Sequence, residues 1–191
     1  EEILSCVPSF LYPKERASIL HNGLVYEGGL RGANKNSEQF DYRNWADTFE
    51  KITKLGVPVF AYNNVSGEDL SNYMKSQAII MGPIHLPELI CNLTGHEVGL
   101  VGSPEPNPAF EGSLPNKLFE YIAAGLPVIA LNTPTTEEFL MATGMGIGVK
   151  SVDEIPDAMN QLILPREDEQ SVRDYVWNIG RFGWTLEGQM P

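Results

Sequence analysis

The stretch Leu114 to Ala130, LPNKLFEYIAAGLPVIA, constrains this chain more than any other. It reads as a helix, a tight turn and a buried strand in immediate succession. Leu118, Tyr121 and Ile122 fall at i, i+3 and i+4, so one helical face is apolar and packs inward. Pro115 suits the first helical turn, where its missing N–H breaks no bond. Gly125 sits where a left-handed cap residue is wanted. LPVIA is a short continuous apolar run, the pattern of a parallel strand covered on both faces. A chain carrying such a unit is committed to layers of helix on sheet.

The rest of the chain repeats the alternation. Strands are expected at GLVYE (Gly23 to Glu27), VPVFAYN, AIIMG, EVGLVGS, LPVIA and GIGVK. Helices are expected between them. One is marked by Tyr42, Trp45, Ala46, Phe49 and Ile52 and runs to about Leu55; others span about Asp69 to Gln77, HLPELICN, the stretch after Pro115, TTEEFLMATG and IPDAMNQLIL. TTEEFLMATG carries a threonine cap and a glycine stop. The tail EDEQSVRDYVWNIGRFGWTLEGQMP reads as one or two terminal helices. Alternating strands and helices mean βαβ units, and right-handed crossovers make the fold doubly wound. The predicted class is α/β, a Rossmann-like parallel sheet of about six strands with helices on both faces. Ligands in such sheets bind at the carboxyl ends of the strands, near the switch in strand order.

Composition removes several classes. A net charge of −12 opposes nonspecific binding to nucleic acid or an anionic membrane. Cys6 and Cys91 have no CxxC or ligand spacing, so neither a disulfide framework nor a metal site is indicated. No apolar run reaches membrane-spanning length. From Gly28, a dinucleotide fingerprint would need glycines where Leu30 and Ala33 stand, and no GK[ST] triplet ends a P-loop. Glu27 and Gly82 do not supply the acidic set of a receiver domain. His21 and His96 have no neighbours that suggest a metal or a triad.

Glu120 carries the chemistry of the central stretch. The backbone N–H groups of Gly112, Ser113 and Leu114 would sit at the helix start, a place that attracts phosphate. A carboxylate in the second turn can accept two hydrogen bonds from a vicinal diol. A ribose joined to a diphosphate presents both groups, so the motif fits a nucleoside diphosphate lying along a helix N-terminus.

PNKLFEYIAAGLPVIA also resembles the signature of GT-B glycosyltransferases, close to the large retaining family four, in the form PNKLFEY. The resemblance implies the C-terminal, donor-binding half of such an enzyme, with Glu120 on the ribose hydroxyls and Asn116 and Lys117 beside the donor. It makes residues 1–22 a connector from a missing N-terminal acceptor domain. Residues 23–191 become the nucleotide-sugar-binding domain, with a C-terminal crossover around Trp184. In that family a glycine and then an arginine follow the first strand, with a lysine further on, and both cations grip the diphosphate. In VYEGGLRG, Gly28 takes the glycine position, Gly29 stands where the arginine is expected, Arg31 lies two residues later and Lys35 is near the lysine position. The two glycines fit close approach of backbone to ligand. Ile84 and His85, after the third strand, would touch the base. A second family glutamate, eight residues before Glu120, is here Gly112; Glu111 is one residue off and receives no role.

The implied donor is a nucleoside-diphosphate sugar, of the UDP kind by resemblance, handled without a metal or separate cofactor and with retention of configuration. Catalytic residues are not identified. The expected setting is cytoplasmic, or the membrane periphery within a longer protein, with membrane contact only through missing parts and no nucleic-acid partner. Two other readings remain open at this stage: half of a GT-B sugar-nucleotide epimerase, and a non-catalytic scaffold with this fold.

Overall fold

The computed structural model describes residues 6–31, 43–63, 65, 67–165 and 170–189. Its centre is a six-stranded sheet in the order β3-β2-β1-β4-β5-β6, with every pairing parallel. The strands are β1 (His21–Glu27), β2 (Val59–Tyr62), β3 (Ile79–Ile80), β4 (His96–Gly102), β5 (Val128–Leu131) and β6 (Gly146–Val149). The helices are α1 (Ala46–Lys54), α2 (Gly67–Lys75), α3 (Leu86–Leu93), α4 (Asn116–Ala123), α5 (Pro134–Thr143), α6 (Ile155–Ile163) and α7 (Val172–Asn178). Right-handed crossovers put α1 and α2 on one face and α3 to α5 on the other. The direction of strand addition reverses between β1 and β4.

The central strands are buried on both faces, as their sequences require: every residue of β2 and β5 is buried. On α4, Leu118, Phe119, Tyr121, Ile122 and Ala123 are buried. The helix ends in a Schellman arrangement, with Leu126 N–H on the Tyr121 carbonyl (2.9 Å), Gly125 N–H on the Ile122 carbonyl (2.9 Å), and Gly125 at φ 73°.

Four local expectations are revised. Pro115 does not lie in the first turn: it is the N-cap, extended at φ −72° and ψ 146°, and α4 begins at Asn116. An N-cap needs such a non-helical backbone, which the proline ring supports. The first helix, whose apolar pattern begins at Tyr42, starts at Ala46 with Trp45 as its N-cap; before it the Arg43 carbonyl accepts from Arg31 N–H (3.0 Å) and the Tyr73 hydroxyl (3.2 Å) instead of bonding along a helix. Tyr42 lies outside the described residues. β1 begins at His21, two residues early, where His21 pairs with His96 and their rings stack at 4.7 Å. The threonine cap expected within TTEEFLMATG is displaced: α5 begins at Pro134 and takes Thr135 and Thr136 into its first turn, and Thr133 is the N-cap, its buried hydroxyl making no capping bond.

The first segment and the tail meet. Val7 forms a parallel bridge with Thr185, Leu186 N–H reaches the Val7 carbonyl at 3.1 Å, and the Glu187 carboxylate accepts from Ser9 N–H at 2.9 Å. Buried Arg181 ties both to α4, donating to the carbonyls of Pro13 (3.1 Å) and Ala123 (3.3 Å) and stacking 3.8 Å from the Trp177 ring. The expected crossover residue Trp184 is half-buried against Phe139, ring centroids 4.7 Å apart. After α7 the tail continues as two short 3-10 turns, Gly180–Trp184 and Glu187–Gln189.

A Cβ on Gly125 would run into the Trp177 ring. Together with the left-handed backbone, Gly125→Ala should cost about 2–4 kcal/mol. Urea unfolding checks this, and a loss below about 0.5 kcal/mol would mean that Trp177 gives way freely.

Candidate functional site

The switch in strand order places the carboxyl ends of β1 and β4 side by side, with the N-terminus of α4 above them. A cleft of about 260 Å³ opens there, lined among others by Tyr26, Gly28, Gly29, Arg43, Phe110 and Lys117. The double glycine after β1 is its floor. A Cβ on Gly28 would lie 2.6 Å from the Lys117 ammonium nitrogen, and one on Gly29 would lie 3.2 Å from an Arg43 guanidinium nitrogen. Gly28 also has φ 126°, which disfavours any side chain. Its carbonyl is held by the Asn63 amide. Lys117 lies over the Tyr26 ring, 3.9 Å from its centroid. Two cations from distant segments thus rest on backbone at one point.

Glu120 is one turn beyond Lys117 on α4. It is half-buried and hydrogen-bonded to Glu27, the last residue of β1. Burial pushes its carboxyl up to about 8, the Glu27 charge and hydrogen bond add to this, and Lys117 opposes it in part. The fully buried Tyr121 fixes the geometry: its hydroxyl accepts from Glu27 N–H at 2.7 Å and faces the Leu100 carbonyl of β4 at 3.4 Å.

Of the residues singled out in the sequence, Gly28, Gly29 and Lys117 line the cleft and Glu120 sits just below. Ser113 and Asn116 are exposed at the entry to α4, while Leu114 packs on the core. The Gly112 N–H does not point freely at a ligand: Thr135 Oγ1 accepts it at 2.8 Å. Glu111 is exposed beside it. Arg31 is exposed, and its backbone braces the Arg43 segment. Ile84 and His85 lie past the end of β3, two strands away along the sheet, with His85 as the N-cap of α3. Lys35 lies outside the described residues.

Sequence reasoning missed Arg43 and the pairing of Glu27 with Glu120. Two adjacent glycines were a signal that side chains from elsewhere fill the space, but Arg43 and Lys117 are far apart in sequence. A larger recess of about 700 Å³ runs between α1 and the ends of β5 and β6. Two of its lysines are already paired, Lys54 with Glu50 at 2.6 Å and Lys150 with Glu137. Among the described residues, no group of three or more His, Cys, Asp or Glu could hold a metal, and no helix is long and apolar enough to cross a membrane.

Strand order defines a Rossmann-like domain, and the cleft lies at the switch point, where sheets of this kind bind ligands. Residues 39–188 match the family described as Glucosyltransferase 3-like, C-terminal domain, and the chain belongs to that family. It is 29% identical over 127 residues to glucosyltransferase 3 of Streptococcus gordonii, covering 64% of this chain and 36% of that protein. The chain therefore spans about a third of that relative's length. The fold is shared with a glycosyltransferase from Rickettsia africae, at TM-score 0.63 and 11% identity over 96% of this chain and 52% of that one. It is also shared with the C-terminal domain of a group 1 family glycosyl transferase from Francisella tularensis, at TM-score 0.58 and 15% identity over 92% and 95% of the two chains.

In the unfolded chain Glu120 ionises in the ordinary carboxyl range; in the folded domain it keeps its proton up to about pH 8. Between those limits the folded state binds more protons, so stability falls as pH rises through the folded value. Thermal unfolding of the empty domain should therefore occur at lower temperature at pH 9 than at pH 6, and Glu120→Gln should flatten the difference. An unaltered slope in the variant would place the titrating group elsewhere.

Proposed function

We propose that this chain is the donor-binding half of a glycosyltransferase that takes a nucleoside-diphosphate sugar. One observation carries the reading: the start of α4 meets two cations over a glycine floor, with a carboxyl one turn deeper. Cations and helix N–H groups suit a diphosphate. A carboxyl at that depth suits the vicinal diol of a ribose. Membership in a glycosyltransferase domain family supports the same assignment, and the name of the streptococcal relative makes a glucosyl donor the first to test.

In this reading Lys117, Arg43 and the N–H groups at the start of α4 hold the diphosphate, with Arg31 and Lys35 nearby in sequence as further cations. Glu120 accepts from the ribose hydroxyls. The acceptor is held by a preceding domain. Transfer forms a bond from the acceptor oxygen to the anomeric carbon and breaks the bond from that carbon to the diphosphate oxygen. The leaving phosphate takes the acceptor proton, on the face it departs from, so configuration is retained. The residues of this chain stabilise the charge that builds on the leaving group. No metal or separate cofactor is invoked.

Glu120→Ala should weaken nucleoside diphosphate binding by about 1.5–3 kcal/mol, the usual worth of charged hydrogen bonds. Calorimetry with ribose and 2′-deoxyribose diphosphates checks it: the wild type should prefer ribose and the variant should not. Arg43→Ala should weaken diphosphates more than nucleosides, with a flatter salt dependence. Equal losses for both ligands would remove Arg43 from the diphosphate site.

A further inference from the structure

We propose that Tyr26 is the positioning residue of the diphosphate site: the face of its ring seats the Lys117 ammonium across the end of β1, so that one cation stands in place before the ligand arrives. This rests on the donor-site reading above and adds to it how that site is preformed. The Lys117 nitrogen lies 3.9 Å from the Tyr26 ring centroid, well within the reach of a cation–π contact. The lysine starts from α4, on the opposite face of the sheet from the helix that packs on Tyr26. It passes Gly28 on the way, where a Cβ would lie 2.6 Å from the ammonium nitrogen. A ring face carries the negative part of the aromatic quadrupole, so the contact is attractive as well as close.

The ring is built as a fixed seat. Tyr26 is buried, with the Trp45 ring 4.9 Å away and the Phe49 ring edge-on at 5.6 Å. Trp45 and Phe49 are themselves fully buried. The Tyr73 hydroxyl accepts from the Trp45 N–H at 3.0 Å and reaches the Arg43 carbonyl at 3.2 Å. One aromatic cluster therefore places both cations of the cleft: Lys117 through the Tyr26 ring, and Arg43 through the backbone just before Trp45.

An uncharged seat matters to an anion. Lys54 and Lys150 are held by Glu50 and Glu137, and each carboxylate offsets the charge it positions. Lys117 is in none of the ion pairs among the described residues. A ring fixes the ammonium without offsetting its charge. An ammonium also has three N–H donors. The ring face takes one side of it, and Lys117 lines the cleft, so the remaining donors can meet phosphate oxygens while the nitrogen keeps its seat. A freely rotating lysine would lose its rotamer freedom on binding, and that loss would lower the affinity. Here the side chain is ordered when the domain folds.

The test begins with calorimetry of the diphosphates of uridine, guanosine, adenosine and cytidine on the purified chain. It continues with the tightest binder and its parent nucleoside. Tyr26→Leu keeps an apolar side chain in the cluster but has no ring. Its affinity for the diphosphate should fall roughly three- to tenfold, the effect of leaving one long side chain to be ordered by the ligand, while nucleoside affinity stays within about twofold. Tyr26→Phe restores the ring face and should bring the diphosphate to within about twofold of the wild type. In a Lys117→Met background Tyr26→Leu should have no further effect on the diphosphate, because the ring acts through the ammonium. A second measurement needs no variant of Tyr26. The Lys117 ε-methylene protons, assigned by their loss in Lys117→Met, should be shifted upfield by the Tyr26 ring current in the NMR spectrum, in the empty domain and with diphosphate bound. Ordinary lysine shifts would overturn the Tyr26 assignment and leave the nucleotide site standing. So would equal losses for diphosphate and nucleoside in Tyr26→Leu, a Tyr26→Phe protein as weak as Tyr26→Leu, or an undiminished effect without Lys117. Binding of none of the four diphosphates would overturn the donor-site reading, and this inference with it.

Discussion

The site depends on how Tyr121 enters the sheet. Its ring occupies the space that a side chain on Gly99 would fill, since a Cβ there would lie 2.5 Å from it. That approach lets one hydroxyl meet the end of β1 and the middle of β4 together. These are the two strands between which the order reverses, and their onward connections leave to opposite faces of the sheet, which opens a crevice there. Tyr121 joins the two strands below it. The residues before it on α4 are thereby held at fixed depth, Lys117 in the wall of the cleft and Glu120 below it. A helix positioned only by its apolar face could slide along its axis; one hydrogen-bonded through a buried phenol cannot do so without leaving polar groups unpaired.

Much of the scaffold was legible in the sequence. Strands such as VIAL and VFAY are continuous apolar runs because both their faces are covered, and α4 shows its buried face at helical spacing. The boundaries that shifted did so where a distant partner decided them. Arg31 and Tyr73 claim the Arg43 carbonyl and delay α1, while His96 draws His21 into β1. Local propensity carries no record of such partners. The site divides in the same way. Glu120 and Lys117 share a helix, and their spacing alone places them one turn apart. Arg43 reaches the cleft from the segment before α1 and Glu27 nears Glu120 from the end of β1, so only the fold brings them there. The Gly112 N–H shows the reverse: a group that sequence leaves open is taken by Thr135, over 20 residues away.

The cleft also shows how an acidic chain gathers positive charge at one point. The net charge of −12 is a property of the whole surface and falls off over a Debye length. At the cleft the nearest charges are Lys117 and Arg43, with the start of a helix beside them. Short-range terms set the local sign, and removal of side chains at Gly28 and Gly29 brings those charges against the backbone. Glycine here acts electrostatically, by allowing cations to approach a point that a methyl group would keep them from.

The bridge between Val7 and Thr185 makes the described backbone nearly a closed ring. Residues far apart in sequence lie on neighbouring paths, and Arg181 laces them to the last turn of α4. A short peptide joining the two paths would span little distance, so the polypeptide could be reopened at another surface loop with the same sheet order. The long proline-bearing loop between β4 and α4 is ill suited to that cut, because it feeds the helix on which the site is built. The turn between α6 and β6 is better placed, since it lies at the sheet edge remote from β1. Topologically, the domain is indifferent to where its numbering starts, provided the passage from β4 into α4 stays unbroken.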